Sequence, residues 1–215
     1  MEENKSVAKE LKEKLFMQRK NGYSRIDEAK EKAIFDFAEG YKKFLDIAKT
    51  EREAVCEAVR VLEENGFVEY KKDMKLSAGD KIYRNNRGKA IIVAVIGSAP
   101  IAEGVRLCAA HIDSPRLDLK QNPLYEDGGI AYLDTHYYGG VKKYQWVTIP
   151  LALHGVIVKK DGTVVDVNIG ETEDDPVFFV SDLLIHLAAE QLEKKAAKVI
   201  EGEALDIIVG SKPIV

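Results

Sequence analysis

The chain has 215 residues and a net charge of −4; 46% of its residues are hydrophobic and 32% are charged. This length and composition are those of a globular protein of one or two domains. Basic and acidic residues are interleaved, which argues against nucleic-acid binding. The longest apolar run, residues 90–96, is far shorter than the roughly 20 residues that span a bilayer, so no membrane role is expected.

The first 66 residues are predicted to be helical, because their apolar residues recur at helical spacing. Helices are predicted over residues 6–20, 26–48 and 50–66. The third has the clearest ends, since Thr50 and Glu53 form a capping-box pattern and an Asn-Gly pair closes it. The N-terminus shows neither the basic region nor the apolar stretch of a signal peptide, which predicts a cytoplasmic protein.

From residue 67 the pattern changes to short strands. They are predicted over residues 67–70, 81–84, 90–96 and 105–111. The run over 90–96 is apolar on both faces, which predicts a central strand that is covered on both sides. A capped helix that leads into such a sheet predicts an α/β layered domain.

The second half of the chain is predicted to be a β-rich region with one helix. A hairpin is expected over residues 146–169, a short strand over 176–180 and a helix over 181–200. Residues 116–139 show little regular periodicity. This region is therefore interpreted as a subdomain inserted in, or appended to, the α/β domain.

The segment His111-Ile112-Asp113 is the candidate site with the most chemical content. On a strand, side chains two residues apart share a face. A carboxylate placed there can hold the second nitrogen of a metal-binding imidazole. A lone pattern of this kind is more often a structural histidine beside a turn aspartate. Since the other three histidines form no paired-histidine zinc motif, the residues alone support only a single-ligand metal hypothesis.

A family resemblance adds to this interpretation. The sequence A-A-H-I-D-S-P-R-L-D-L-K over residues 109–120 resembles the H-T-D-S-P segment of the M18 aminopeptidases, which are cocatalytic zinc exopeptidases of the aspartyl aminopeptidase family. Four further segments match in order, at residues 50–67, 79–97, 138–140 and 184–187. The resemblance implies a zinc-exopeptidase-like α/β domain interrupted by a β-rich lid and dimerisation domain. Residues 1–117 would form the N-terminal part of the catalytic domain and residues 118–215 an incomplete lid.

The resemblance also implies the function: a zinc-dependent aminopeptidase that removes N-terminal residues from peptides. His111 would bind one of two zinc ions, and Asp113 would orient it. His186 would be the lid histidine that reaches a neighbouring subunit's active site in a dimer or a larger assembly such as a dodecamer. The family's other ligands and its general base lie downstream of the lid. The chain is therefore expected to be an N-terminal half that is inactive alone.

Two departures from the family pattern bear on specificity. Ile112 replaces the usual threonine, which should leave His111 and Asp113 intact. The segment after Trp146 lacks the family's acidic residue and arginine, so a preference for N-terminal Asp or Glu is not expected. Two alternative functions remain open: a non-catalytic assembly or regulatory module, and another cocatalytic metal-dependent amidohydrolase.

Overall fold

The computed structural model describes residues 2–17 and 19–214. The outer ends of both predicted domains, at residues 1 and 215, and residue 18 of the first predicted helix lie outside the described residues. The chain divides into two compact units, residues 1–46 and 47–215. The domain boundary between residues 117 and 118 stays a prediction.

The first unit is built from two helices, α1 (Glu2–Leu15) and α2 (Glu28–Ile47). Helix α2 begins where the Asp27 side chain accepts a hydrogen bond from the backbone N–H of Lys30, at 2.8 Å. This contact satisfies one of the free N–H groups at a helix start. Within the described part of the chain, no helix combines the length and apolarity that a bilayer crossing requires.

The predicted end of the first helix is wrong. Helix α1 stops at Leu15, and Asn21 caps a short 3-10 turn over Gly22–Arg25 instead of closing α1. The Asn21 side chain accepts from the backbone N–H of Tyr23 at 3.0 Å. Asparagine side chains offer the backbone this local alternative to a continued helix.

The second unit begins with a helix and a three-stranded sheet, whose elements are α3 (Glu51–Glu64), β1 (Val68–Glu69), β2 (Lys81–Asn86) and β3 (Ala90–Val95). The predicted capping box is confirmed, because Thr50 and Glu53 exchange hydrogen bonds between side chain and backbone. The strand order is β1-β2-β3, with β1 parallel and β3 antiparallel to β2. Helix α3 packs on β2 and β3.

Strand β3 does not have the covered central position that its apolar sequence predicts. It lies at one edge of the sheet, and its residues Ile92 and Val95 are 70% and 60% exposed. A run that is apolar on both faces indicates that a strand is to be covered, but not which polypeptide segment covers it. The prediction of a strand covered on both sides is therefore wrong for the described residues.

The rest of the second unit is rich in β-structure, and its elements are β4 (Arg116–Asp127), β5 (Ile130–Tyr138), β6 (Leu153–Val158), β7 (Val164–Ile169), α4 (Ala189–Leu192) and β8 (Ile207–Gly210). Strands β4, β5 and β8 form an antiparallel sheet in that order. The predicted hairpin is confirmed as β6 and β7, although its first strand begins at Leu153 rather than at residue 146. The long β4–β5 hairpin was not predicted; it turns at Gly128 and Gly129, which both have positive φ.

A compact apolar core lies against the β4-β5-β8 sheet. Its buried members are Val147, Val180, Ile200, Leu205 and Ile207. This region and the β1-β2-β3 sheet that α3 covers together confirm the predicted α/β class.

The predicted helix over residues 181–200 is wrong. The segment contains a 3-10 turn (Ile185–Leu187) and the four-residue helix α4. Leu184 and Leu187, whose spacing would place them on one apolar face of such a helix, are 72% and 69% exposed. Short helices depend on the packing of such a face, and here these side chains are not packed.

Candidate active site

The candidate site lies in an irregular segment, residues 104–115, between β3 and β4. The predicted strand over residues 105–111 is therefore wrong. Among the described residues none pairs with this segment in a sheet, and Leu107 is 83% exposed. An apolar run becomes a strand only where a neighbouring strand completes its backbone hydrogen bonds.

His111 and Asp113 are nevertheless in contact, through a local turn rather than a shared strand face. The His111 Nδ1 atom lies 3.0 Å from Asp113 Oδ1 and 2.9 Å from the Asp113 backbone oxygen. Both oxygens can only accept, so Nδ1 carries the hydrogen and the lone pair of a neutral imidazole is on Nε2. The His111 side chain is 82% exposed. The ring thus offers Nε2 to a ligand while Asp113 holds the opposite nitrogen.

A third side chain, Tyr138, completes this group. Its hydroxyl donates to the second carboxylate oxygen, Asp113 Oδ2, at 2.6 Å. The hydrogen bond from Tyr138, and next to it the one from His111, lower the pKa of Asp113 because both favour the charged carboxylate. The same contact raises the pKa of the Tyr138 phenol. Sequence reasoning missed Tyr138, because only the β4–β5 pairing brings it to the site.

Strand register places Tyr138 next to the candidate site. Tyr138 is the last residue of β5 and pairs with Arg116, the first residue of β4. The Arg116 guanidinium lies 4.2 Å from the centre of the Tyr138 ring, a cation–π contact, and also binds Asp118 at 2.6 Å. Gly139 follows at φ 79°, a left-handed conformation that favours glycine, and its backbone lies beside Pro115.

His186, the predicted lid histidine, lies on the exposed 3-10 turn over Ile185–Leu187. It lines a groove of about 730 Å³ together with Asp182 and Glu190. Neither His111 nor Asp113 lines this groove. The structure therefore brings together two of the three predicted site residues and places the third in a different groove.

The other two histidines, His154 and His136, contact oxygen acceptors of the chain itself. His154 is 10% exposed and lies between two carboxylates, with Nδ1 2.8 Å from Glu53 and Nε2 2.8 Å from Glu171. It thereby joins the start of α3 to the β6–β7 hairpin. His136 is exposed on β5, and its Nδ1 lies 3.2 Å from the Tyr137 backbone oxygen.

No three His, Cys, Asp or Glu side chains in residues 2–17 and 19–214 are grouped so that they could hold a metal ion. At the candidate site the described chain thus offers one oriented imidazole, that of His111, with a carboxylate behind it. One such ligand falls short of the three or four protein ligands of an ordinary zinc site.

Comparison with known proteins identifies the family. Residues 44–213 match the family described as aminopeptidase I zinc metalloprotease (M18). The chain belongs to the M18 family. It is 55% identical over 204 residues to a probable M18 family aminopeptidase 1 of Clostridium acetobutylicum. This match covers 93% of the chain and 44% of the relative, so the M18 chain spans about half the length of such relatives.

Solved structures support the same assignment. An M18 aminopeptidase of Thermotoga maritima superposes with a TM-score of 0.82 at 43% identity, over 93% of this chain and 43% of the other. Aminopeptidase I of Clostridium acetobutylicum gives 0.79 at 54% identity, over 93% and 45%. The mApe1 dodecamer of S. cerevisiae gives 0.60 at 20% identity, over 81% and 38%, and at that identity the likeness concerns the fold alone. The M18 match includes His111, Asp113 and His186.

Proposed function

We propose that this chain supplies part of the active site of a zinc-dependent aminopeptidase that removes N-terminal residues from peptides. One observation carries the proposal. In a chain of a zinc metalloprotease family, the exposed His111 has its Nδ1 atom engaged by Asp113 and its Nε2 atom open. A carboxylate behind a histidine in this way is the usual partner of a metal-bound imidazole.

The residues fit zinc as a partial site. His111 would bind through Nε2, and Asp113 would fix its tautomer and ring direction. When bound, zinc lowers the pKa of a coordinated water and polarises the scissile carbonyl. A complete cocatalytic site with two zinc ions needs further ligands and a general base. We assign those groups to polypeptide outside residues 1–215 and expect this chain alone to be inactive.

We assign residues 1–117 to the N-terminal part of the catalytic domain and residues 118–215 to a lid and dimerisation domain. The change from the β1-β2-β3 sheet to the β4-β5-β8 sheet near residue 116 supports this division. The exposure of His186 and of its neighbours Ile185 and Leu187 supports a role in a subunit contact. In a homo-oligomer, a dimer or a larger assembly such as a dodecamer, His186 would reach a neighbouring active site.

The substrates are proposed to be peptides with free N-termini, and the protein is proposed to act in the cytoplasm. The segment after Trp146 lacks acidic and arginine residues up to Pro150. We therefore expect broader specificity than a preference for N-terminal Asp or Glu.

The test uses the full-length protein that contains this chain. It measures hydrolysis of a panel of aminoacyl-nitroanilides, with and without zinc, alongside the zinc content by mass spectrometry. We expect zinc-dependent release from unblocked substrates. His111→Ala should lower both activity and zinc content, because it removes a ligand. His186→Ala should lower turnover of the oligomer and leave zinc content unchanged.

His136→Ala is the matched control, since His136 is exposed on β5 and is assigned no zinc. Zinc-bound protein without activity on any unblocked substrate would favour the assembly module. Activity restricted to N-acylated substrates would favour a different amidohydrolase. Loss of zinc in His186→Ala would show that the lid assignment is wrong. Activity of the isolated 215-residue chain would contradict the division of the site.

A further inference from the structure

Tyr138 forms a hydrogen bond at the candidate site to which the proposed function assigns no role. Asp113 lies in the irregular segment 104–115, which has no sheet pairing among the described residues. Tyr138 lies at the end of β5, in register with β4. The hydrogen bond between the Tyr138 hydroxyl and Asp113 Oδ2, at 2.6 Å, therefore links the irregular segment to the antiparallel sheet.

The two oxygens of the Asp113 carboxylate have different partners. Oδ2 accepts from Tyr138 at 2.6 Å, and Oδ1 lies 3.0 Å from His111 Nδ1. A carboxylate held by one partner alone can rotate and exchange its two oxygens. With Tyr138 on Oδ2, rotation would break a hydrogen bond to a charged acceptor, which is stronger than a neutral one. Oδ1 is thereby kept facing the imidazole.

Tyr138 is itself held in place from several sides. Its ring lies 4.2 Å from the Arg116 guanidinium, and Arg116 is bound to Asp118 at 2.6 Å. The backbone beyond it turns at Gly139 against Pro115. Because these contacts involve the ring and the strand rather than the hydroxyl, removal of the hydroxyl should leave them intact.

We propose that Tyr138 is a positioning residue for the metal-binding histidine. Its hydroxyl fixes the Asp113 carboxylate, and Asp113 in turn keeps the hydrogen of His111 on Nδ1 and the lone pair on Nε2. The inference rests on the proposed function for the identity of the bound metal. The orientation of the imidazole can be measured without any metal.

The test is the tautomer ratio of the His111 ring, measured from the nitrogen chemical shifts of the metal-free full-length protein that contains this chain, at a pH where the ring is neutral. In the unmodified protein the Nδ1–H form should dominate. Tyr138→Phe should shift the ratio toward Nε2–H by about 2- to 3-fold, less than the loss of a whole hydrogen bond, because the Asp113 backbone oxygen still lies 2.9 Å from Nδ1. The apparent affinity of the protein for zinc ions, followed at the His111 resonances, should fall by a similar factor.

Tyr137→Phe is the matched control, because Tyr137 is the adjacent residue on β5 and points to the opposite face. It should leave the ratio unchanged. Melting temperatures check that each variant is folded. In an Asp113→Asn background, Tyr138→Phe should change the ratio little, since its effect passes through the carboxylate.

An unchanged tautomer ratio in Tyr138→Phe would overturn the inference. Equal shifts in both tyrosine variants, or an undiminished effect in the Asp113→Asn background, would overturn it as well. If zinc ions leave the His111 resonances unmoved in every variant, the assignment of His111 as a ligand fails. The tautomer ratios would then still decide whether Tyr138 positions the ring.

Discussion

The two three-stranded sheets of the second unit differ in how well the chain itself covers them. The β4-β5-β8 sheet packs on a buried cluster in which Leu205 is fully buried. The β1-β2-β3 sheet packs on α3, yet Ile92 on β3 is 70% exposed. The β4-β5-β8 sheet, here called the closed region, thus has a buried core within the chain. The β1-β2-β3 sheet, the open region, presents apolar surface to solvent. The candidate site lies between them, on the segment that leads from β3 to β4.

This difference also concerns the candidate site, where the His111 imidazole is held on one side and exposed on the other. The contacts of Asp113 and Tyr138 belong to the closed region, where β4 and β5 fix them. The approach to His111 Nε2 belongs to the open region, where residues 104–112 lack sheet pairing within the described chain. The closed sheet therefore orients the His111 imidazole from one side, and Nε2 is accessible from the other.

The largest contrast in the free energy of unfolding is expected between truncations of two similar-sized apolar residues, one in each region. Leu205→Ala should lower the free energy of unfolding by about 2–5 kcal/mol, because it removes packed apolar volume. Ile92→Ala should change it by no more than about 0.5 kcal/mol, as expected for an exposed site. Urea unfolding of both variants measures the difference. Similar losses in the two variants would show that β3 is covered in solution.

An intermediate effect is expected at His154, which joins α3 to the β6–β7 hairpin. Its ring lies between Glu53 of α3 and Glu171 beyond β7, at 2.8 Å from each. His154→Gln should lower the free energy of unfolding by about 1–3 kcal/mol, since a poorly paired carboxylate remains in a partly buried place. The same substitution at exposed His136 is the control for urea unfolding. Equal effects of the two substitutions would mean that His154 does not couple α3 to the β6–β7 hairpin.

The smallest effect is expected at Asp175, in the loop beyond β7. Hydrogen bonds from the backbone N–H groups of Thr172 and Gly170 lower the pKa of this carboxyl. Its stabilising contribution is therefore present above the unfolded pKa of about 3.9 and is lost as pH falls through the lower folded value. Asp175→Asn should reduce the melting temperature near neutral pH, and the deficit should shrink below about pH 4. Asp174→Asn serves as the neighbouring control; a deficit that is constant with pH would contradict the prediction.

The sequence predicted those elements whose signals are local. Thr50 and Glu53 mark the start of α3 through backbone groups three residues apart, and the structure has that capping box. The β6–β7 hairpin was equally clear from two alternating runs around a single turn. In both cases short-range hydrogen bonding decides the conformation, so a single sequence contains the necessary information.

The remaining features depend on packing between distant segments. The spacing of Leu184 and Leu187 fits a helix, but these residues are exposed and the helix does not form. Residues 105–111 have a strand-like composition, but no described strand pairs with them. Tyr138 contacts Asp113, although the two residues are 25 positions apart in the sequence. The β4–β5 hairpin brings them together, and the residues of that hairpin show little regular periodicity. The two-residue spacing of His111 and Asp113 predicted their contact, but it did not indicate that Tyr138 binds Asp113.

The free edge of β3 also bears on how the isolated chain behaves at high concentration. Its sequence, Ala-Ile-Ile-Val-Ala-Val, has no charge and no proline, which is the composition that favours pairing between chains. Lys89 at its start is the nearest charged residue that opposes such pairing. We expect the 215-residue polypeptide to self-associate through this edge, with light scattering that rises with concentration and falls in an Ile92→Lys variant. An apolar edge strand of this kind is thus an aggregation hazard wherever no other segment covers it.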